Sequence, residues 1–221
     1  MSGMKLIGSY FSPYTRRVAV SLNALGISYE FVPVSVLAEQ DRVRALNPVV
    51  RIPILVLPDG EALIESYAIL DEVDMMHHDR ALTPRQGTAR RAVMQMTALA
   101  IACMEKAQWA FYEGRFRPAS MIHGPWVDHN DRQVLSGLRR LDEIVSGVRG
   151  GDRWMAGTAT ISQADITTAV VFGSIRTLRS NLDVNGSFPH LRRFAERCEE
   201  LEIFSKAPAP PLGPAPALPT A

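Results

Sequence analysis

The residue best placed for chemistry in this chain is Ser12, in the stretch FSPYTRRV that spans Phe11 to Val18. It stands between a short run typical of a strand and a pattern typical of a helix. The first backbone N–H groups of a helix have no partners inside it, and the helix dipole adds positive charge there, so a helix start favours an anion. Ser12 therefore either caps the helix or hydrogen-bonds to an anion held at its start, and the local sequence leaves both interpretations open.

Two further helix starts carry a serine beside an acid. Glu65-Ser66 follows the apolar run ALI, and Ser66 is expected to cap the next helix and expose its N–H groups to an anion. Glu65 offers a negative partner for a cation. Ser162 and Asp165, in TISQADI, have the spacing of a capping box, which favours a structural role.

Cysteines and histidines do not form a predicted metal site. Cys103 and Cys198 lie far apart, and none of the five histidines stands at metal-ligand spacing from them. Position 12 is serine, so no cysteine occupies the first helix start. Two cysteines without a disulfide framework indicate a reducing compartment, and the N-terminal stretch lacks the pattern of a secretory signal. A cytoplasmic protein without a metal is predicted.

Charge and hydropathy argue against two classes of partner. The formal net charge is +1 and the arginines are scattered, so no nucleic-acid role is predicted. The longest apolar run, VMQMTALAIACM, is too short to cross a bilayer and indicates a buried helix. No membrane association is predicted.

The elements that must position these residues fall into an α/β half and a helical half. Residues 1–77 predict the order βαβ, a short helix, then ββα, with Gly26 ending the first helix and Pro58-Asp59-Gly60 turning the hairpin. Residues 78–88 read as a linker, and 89–206 as an all-helical domain. Residues 207–221 contain six prolines and few apolar side chains, so a disordered tail is predicted.

Four segments in order carry a resemblance to a known family: FSPYTRRV, NPVVRIPIL, LIESYAIL and TISQADI. Together they resemble the cytosolic glutathione S-transferases, of the classes with a Ser-Pro-aromatic signature, over roughly residues 4 to 205. The resemblance implies an N-terminal thioredoxin-like domain that binds glutathione and an all-α C-terminal domain. It also implies a glutathione-conjugating enzyme of detoxification.

The resemblance assigns roles to named residues. Ser12 would donate a hydrogen bond to the glutathione thiolate; such bonds to charged groups contribute about 1.5–3 kcal/mol, or about one to two pKa units. The peptide Ile52-Pro53 is cis in the family, and the main chain of Ile52 would hold the cysteinyl part. Ser66 and Glu65 would bind the γ-glutamyl end, and Arg51 the glycyl carboxylate.

The second substrate is implied to be a small hydrophobic electrophile, whose identity the sequence does not specify. Its predicted pocket residues are Tyr10, Trp109, Tyr112 and Phe116. Tyr10 and Tyr14 also compete with Ser12 for the thiol contact, and Ser12 is preferred. Arg16 and Arg17 oppose the dipole at the start of their helix; one of them could raise the positive potential at the thiolate, but exposure to solvent is the preferred expectation.

A homodimer is implied, with apolar surplus on the helices at Ser66–Met76 and Arg90–Met104. Alternatives to conjugation are a disulfide reductase that uses two glutathiones and no protein thiol, and a non-catalytic scaffold of the same fold. For the tail, the alternative is a lid over the second-substrate pocket, with Leu212 and Leu218 as its apolar contacts.

Overall fold

The structure, a computed structural model, describes residues 3–148 and 154–214. These divide into two compact units. The first contains the chain up to Leu82 and the segment Leu201–Pro211, and the second contains Thr83–Glu200 together with residues near Leu212.

The first unit is a four-stranded mixed sheet with helices, in the predicted order. Its elements are β1 (Met4–Gly8), α1 (Pro13–Leu25), β2 (Tyr29–Pro33), α2 (Gln40–Arg44), β3 (Ile54–Val56), β4 (Ala62–Ile64) and α3 (Ser66–Met76). The strands lie in the order β2-β1-β3-β4, with β1 parallel to β2 and antiparallel to β3, and β3 antiparallel to β4. The predicted thioredoxin-like arrangement is confirmed, with β2 at the edge.

Alternation along β1 sends side chains to both faces of this sheet. Leu6 is fully buried, and its neighbour Ile7 belongs to a separate cluster with Val34, Val43 and Ile54. The apolar face of α1, expected from the spacing of Val18, Leu22 and Leu25, is buried, and Gly26 ends the helix with φ 70°. Glycine suits this left-handed position because it has no Cβ.

The segment after Leu201 differs from the expected boundary at residue 206. It contains the short helix α9 (Glu202–Ser205) and packs in the first unit. Arg16 Nε donates to the Ala207 carbonyl at 2.8 Å and Asn23 Nδ2 to the Ile203 carbonyl at 2.9 Å, while Phe204 and Ala207 are fully buried. The predicted tail therefore begins with an anchored residue, and its last part, residues 215–221, lies outside the described residues.

The second unit is helical throughout its described part. Its helices are α4 (Gly87–Phe116), α5 (Gly124–Gly147), α6 (Gln163–Leu178), α7 (Val184–Ser187) and α8 (Pro189–Glu199). Short 3₁₀ turns occupy His78–Arg80 in the first unit and Ala119–Met121 in the second. α6 is buried along most of its length, and α4 packs against both α5 and α6.

The predicted capping box at the start of α6 is present. Asp165 accepts hydrogen bonds from the Ser162 backbone N–H at 2.8 Å and from the Ser162 hydroxyl at 2.5 Å, and its other oxygen accepts from Met155 N at 2.8 Å. Among the described residues, no helix is long and apolar enough to cross a membrane.

Candidate active site

Three candidate segments meet at one end of the strands in the first unit. β1 is antiparallel to β3 with Ile7 opposite Ile54, so the end of β1 lies beside the start of β3. β3 is antiparallel to β4 with Ile54 opposite Ile64, so β4 ends at that same place. Adjacent strands lie about 4.8 Å apart. The register therefore brings together Ser12 after β1, Ile52-Pro53 before β3, and Glu65-Ser66 after β4.

Ser12 is the N-cap of α1 in an extended conformation, followed by Pro13 at the first helical position. Its Oγ accepts a hydrogen bond from Thr15 N at 3.3 Å, and the side chain is half-buried. Within residues 3–148 and 154–214, this is the only partner of the Ser12 hydroxyl, and no acidic residue lies in the first turn. Ser12 is therefore a cap whose O–H remains available to an anion.

A close approach fixes the chain just before Ser12. A Cβ added at Gly8, the last residue of β1, would lie 2.6 Å from Thr15 Oγ1 and 2.7 Å from its Cγ2. Thr15 is fully buried in the first turn of α1. The absence of a side chain at Gly8 thus allows the helix start to rest on the end of the strand.

The expectation that Arg16 and Arg17 are exposed is wrong. They are 3% and 1% exposed. Arg16 lies over the Phe204 ring, 5.8 Å from its centroid, and Arg17 lies 4.6 Å from the centroid of Tyr67. Two buried guanidinium groups therefore belong to the helix that Ser12 begins.

The loop before β3 is organised by Asn47, which sequence reasoning did not single out. Asn47 is buried, its Nδ2 donates to the Arg51 carbonyl at 3.0 Å, and its Oδ1 accepts from Val49 N at 3.1 Å. Val50 has φ 55°, a left-handed conformation that is costly for a β-branched residue. The sequence showed the place of Asn47 in NPVVRIPIL, but it did not show the hydrogen bonds that Asn47 makes.

The peptide between Ile52 and Pro53 is cis, as the resemblance implied. Among the described residues, no hydrogen-bond partner is present for the main chain of Ile52. Its N–H and C=O therefore remain available to pair with the main chain of an extended peptide, as between neighbouring strands.

The start of α3 differs by one residue from the expectation. Glu65, with φ 65° and ψ 124°, occupies the cap position, and Ser66 is the first helical residue and nearly fully buried. No side chain caps the first turn, so its N–H groups are open to a ligand. Arg51 Nη1 lies 3.3 Å from Glu65 Oε1, and the pair is about half exposed. The two residues predicted to bind opposite ends of glutathione thus contact each other.

The two tyrosines near Ser12 have partners of their own. The Tyr10 ring stacks on Phe31, with centroids 4.0 Å apart, and its hydroxyl lies 3.2 Å from that of Tyr29. Burial, followed by this hydrogen bond, raises the pKa of Tyr29. Tyr14 is half-buried on α1. Burial lowers the pKa of Arg17, and the interaction of Tyr14 with the guanidinium opposes that lowering. Tyr10 is therefore held toward the edge strand β2.

The other predicted pocket residues lie on α4 in the second unit. Trp109 is 58% and Tyr112 40% exposed, and Phe116 is half-buried. Tyr112 and Phe116 form a tilted ring pair with centroids 5.3 Å apart. Arg115 lies 5.6 Å from the centroid of the Phe111 ring and donates to the Gly213 carbonyl at 2.7 Å. The aromatic residues thus form an exposed apolar surface at the end of α4.

Both protein thiols belong to the second unit and not to the unit that contains the three candidate segments. Cys103 on α4 and Cys198 on α8 are unpaired and buried in the second unit. Burial raises the pKa of the Cys103 thiol to about 12, and burial and the Asp165 carboxylate raise that of Cys198. No group of His, Cys, Asp and Glu side chains in the described part of the chain could hold a metal ion.

Comparisons with known proteins place this site in context. The family described as glutathione S-transferase, N-terminal domain, matches residues 6–81. The GST-like protein YibF of Escherichia coli is 28% identical over 94% of this chain and 99% of its own, and a maleylacetoacetate isomerase of Pseudomonas aeruginosa is 26% identical over 92% and 95%. A solved glutathione S-transferase of Methylobacillus flagellatus with glutathione bound is 31% identical, covers 95% of this chain and all of its own, and superposes with a TM-score of 0.85. The chain belongs to the glutathione S-transferase family.

Proposed function

We propose that this protein is a glutathione transferase that binds glutathione where β1 and β4 end and β3 begins, and that it conjugates glutathione to a small hydrophobic electrophile. The observation that carries the proposal is the register of β1, β3 and β4. It brings Ser12, the unpaired main chain of Ile52 and the uncapped start of α3 to the same end of these strands. The glutathione bound in the Methylobacillus flagellatus relative supports it.

Each part of glutathione has a candidate partner. The γ-glutamyl carboxylate binds the N–H groups at the start of α3, with Ser66, and its ammonium binds Glu65. The cysteinyl backbone pairs with Ile52 next to Pro53. The glycyl carboxylate binds Arg51, whose side chain must first turn away from Glu65. Because the Arg51–Glu65 ion pair is about half exposed, breaking it costs little free energy.

Ser12 and the start of α1 supply the chemistry. The Ser12 O–H donates to the sulfur, the helix dipole favours negative charge, and the thiol titrates below its ordinary value, so thiolate is present at neutral pH. The thiolate then attacks the electrophile, which an apolar pocket holds near it. Tyr10, Trp109, Tyr112 and Phe116 are the proposed pocket residues.

An ultraviolet titration of enzyme-bound glutathione tests the proposal, because the thiolate absorbs and the thiol does not. We expect bound glutathione to ionise one to two pH units below free glutathione, and Ser12→Ala to remove most of that shift. Ser9→Ala is the matched control, since Ser9 Oγ accepts a hydrogen bond from Phe11 N in the same loop. An unchanged thiol pKa in the wild type would overturn the proposed activation.

A second candidate is glutathione-dependent isomerisation, which the maleylacetoacetate isomerase relative favours. It uses the same thiolate, which adds to the substrate and leaves again. Turnover of maleylacetoacetate without net loss of glutathione would identify it, whereas consumption of glutathione with an aryl halide would identify conjugation. A glutathione mixed disulfide in the same panel tests reduction, and calorimetry without binding at millimolar glutathione would favour the scaffold.

The assembly we propose is a homodimer in the cytoplasm. Large apolar side chains stand exposed on both helices that the sequence indicated: Tyr67, Met75 and Met76 on α3, and Met94 on α4. A symmetric dimer is the commonest way to cover such surfaces. Light scattering at low micromolar concentration should give twice the chain mass of 24.4 kDa, and a single-chain mass would exclude it.

A further inference from the structure

Two consecutive arginines of α1 are buried, and they contact different parts of the first unit. Arg16 donates to the Ala207 carbonyl and lies over Phe204, so it anchors the segment after Leu201. Arg17 lies over the ring of Tyr67, with 4.6 Å between the guanidinium carbon and the ring centroid. Arg16 thus has a structural partner, and Arg17 has a partner beside the proposed ligand site.

Tyr67 is the second residue of α3 and directly follows Ser66. Arg17 belongs to the helix that Ser12 caps. Their contact therefore joins the two helix starts that are proposed to hold the thiolate and the γ-glutamyl carboxylate. A planar guanidinium stacked on an aromatic ring fixes orientation as well as distance, and the attraction strengthens when water is excluded.

Arg17 also brings a positive charge into the protein near the helix start. Burial lowers the pKa of Arg17 to about 10, opposed by Tyr67 on α3 and Tyr14 on α1, so the guanidinium stays protonated at neutral pH. Arg17 lies five positions after Ser12, which corresponds to about 7.5 Å of rise along a helix axis. A buried charge is screened far less than an exposed one at the same distance.

We propose that Arg17 is a positioning residue of the glutathione site: through Tyr67 it holds the start of α3 against α1, and its buried charge favours the ionised form of the bound thiol. The inference rests on the proposed function. It separates two effects, because the stacking geometry sets glutathione affinity and the charge sets thiol ionisation.

Three substitutions separate these effects. Arg17→Met removes the charge and the planar group, Arg17→Lys keeps only the charge, and Tyr67→Leu removes the ring while leaving Arg17 intact. Arg42→Met is the matched control, because it removes one positive charge from an exposed ion pair with Glu39 in the same unit. Glutathione affinity is measured by calorimetry, and thiol ionisation by ultraviolet titration at saturating glutathione.

We expect Arg17→Met to raise the thiol pKa of bound glutathione by about one unit. Arg17→Lys and Tyr67→Leu should leave that pKa within a few tenths of a unit and weaken glutathione binding about five- to tenfold. The control should change neither quantity. An unchanged thiol pKa in folded Arg17→Met, or unchanged affinity in Tyr67→Leu, would overturn the inference.

Failures of folding and of the proposed function remain distinguishable from these outcomes. Should Arg17→Met not fold, Arg17→Lys and Tyr67→Leu decide the case, since a shifted thiol pKa in either contradicts the assignment of the charge. A wild-type protein that binds glutathione without ionising it refutes the proposed chemistry, and the affinity of Tyr67→Leu then decides the positioning role alone.

Discussion

The helices α1 and α6 both have a serine at the N-cap, and the two serines have different roles. At the start of α6, Ser162 and Asp165 close on each other and on Met155, and every bond joins residues at most ten positions apart. Both side chains are buried. At this helix start the side chains of Ser162 and Asp165 are engaged in local hydrogen bonds, so they are not available to a ligand.

At the start of α1, Ser12 makes one longer bond to Thr15 and stays half-buried. The surrounding support comes from far along the chain: Arg16 bonds to Ala207, 191 positions away, and Arg17 rests on Tyr67. A helix start that is closed locally is structural, whereas one left open and supported from a distance can receive an anion. The following substitutions test this contrast.

Removing the distant support of α1 should have the largest effect. Phe204 is fully buried beneath Arg16, so Phe204→Ala should lower the free energy of unfolding by about 3–5 kcal/mol and also weaken glutathione binding. Urea unfolding and calorimetry measure the two effects. Leu212→Ala, exposed and just beyond the segment Leu201–Pro211, is the control, and equal losses in both variants would contradict the contrast.

Removing the capping box at the start of α6 should lower the free energy of unfolding somewhat less than Phe204→Ala does, and it should leave glutathione binding unchanged. Asp165→Ala leaves the N–H groups of Met155 and Ser162 without their acceptor in a buried place, at about 2–4 kcal/mol. Urea unfolding measures the loss. Glutathione affinity should stay within twofold, and a tenfold weakening would show that the two starts are coupled.

The contact beneath Ser12 should be sensitive to a single added methyl group. Gly8→Ala places a Cβ against the Thr15 side chain and should cost about 1–3 kcal/mol. Thr15→Ala removes the two closest atoms, so the double variant should regain much of that loss in thermal unfolding. Simple additivity of the two substitutions would argue against the clash.

The smallest effect on stability is expected for Ser12 itself. Ser12→Ala loses one cap bond and should cost about 0.5–1 kcal/mol, less than Ser162→Ala, which breaks a buried box. Parallel thermal unfolding of the two variants compares them. A larger loss for Ser12→Ala would mean that its role is structural.

Local signals made much of this architecture predictable. Gly26 ended α1, Pro58-Asp59-Gly60 turned the β3–β4 hairpin, and Ser162 with Asp165 announced α6, because each signal depends on neighbours a few residues away. The short helices α7 and α9, four residues each, gave no period to detect. The candidate site residues remain predictions, although the register brings three of their segments together.

The surroundings of the site were not predictable in the same way. Arg16 and Arg17 look like exposed charges in the sequence, because Phe204, Ala207 and Tyr67 lie far from them along the chain. Glu65 took the cap position expected for Ser66 through a positive φ, which favours glycine or asparagine and which nothing in LIESYAIL signals. Long-range packing decided both cases.

The anchoring of Leu201–Pro211 in the first unit also orders events during synthesis. Ala207 and Ile203, whose carbonyls bond to Arg16 and Asn23, lie 191 and 180 positions after them, so they leave the ribosome long after the sheet that they support. A nascent chain halted before Leu201 therefore carries a complete sheet whose helix α1 still lacks Phe204 and Ala207. Domains generally fold as units in the order of their synthesis, but here the first unit is complete only when the segment Leu201–Pro211 has been synthesised.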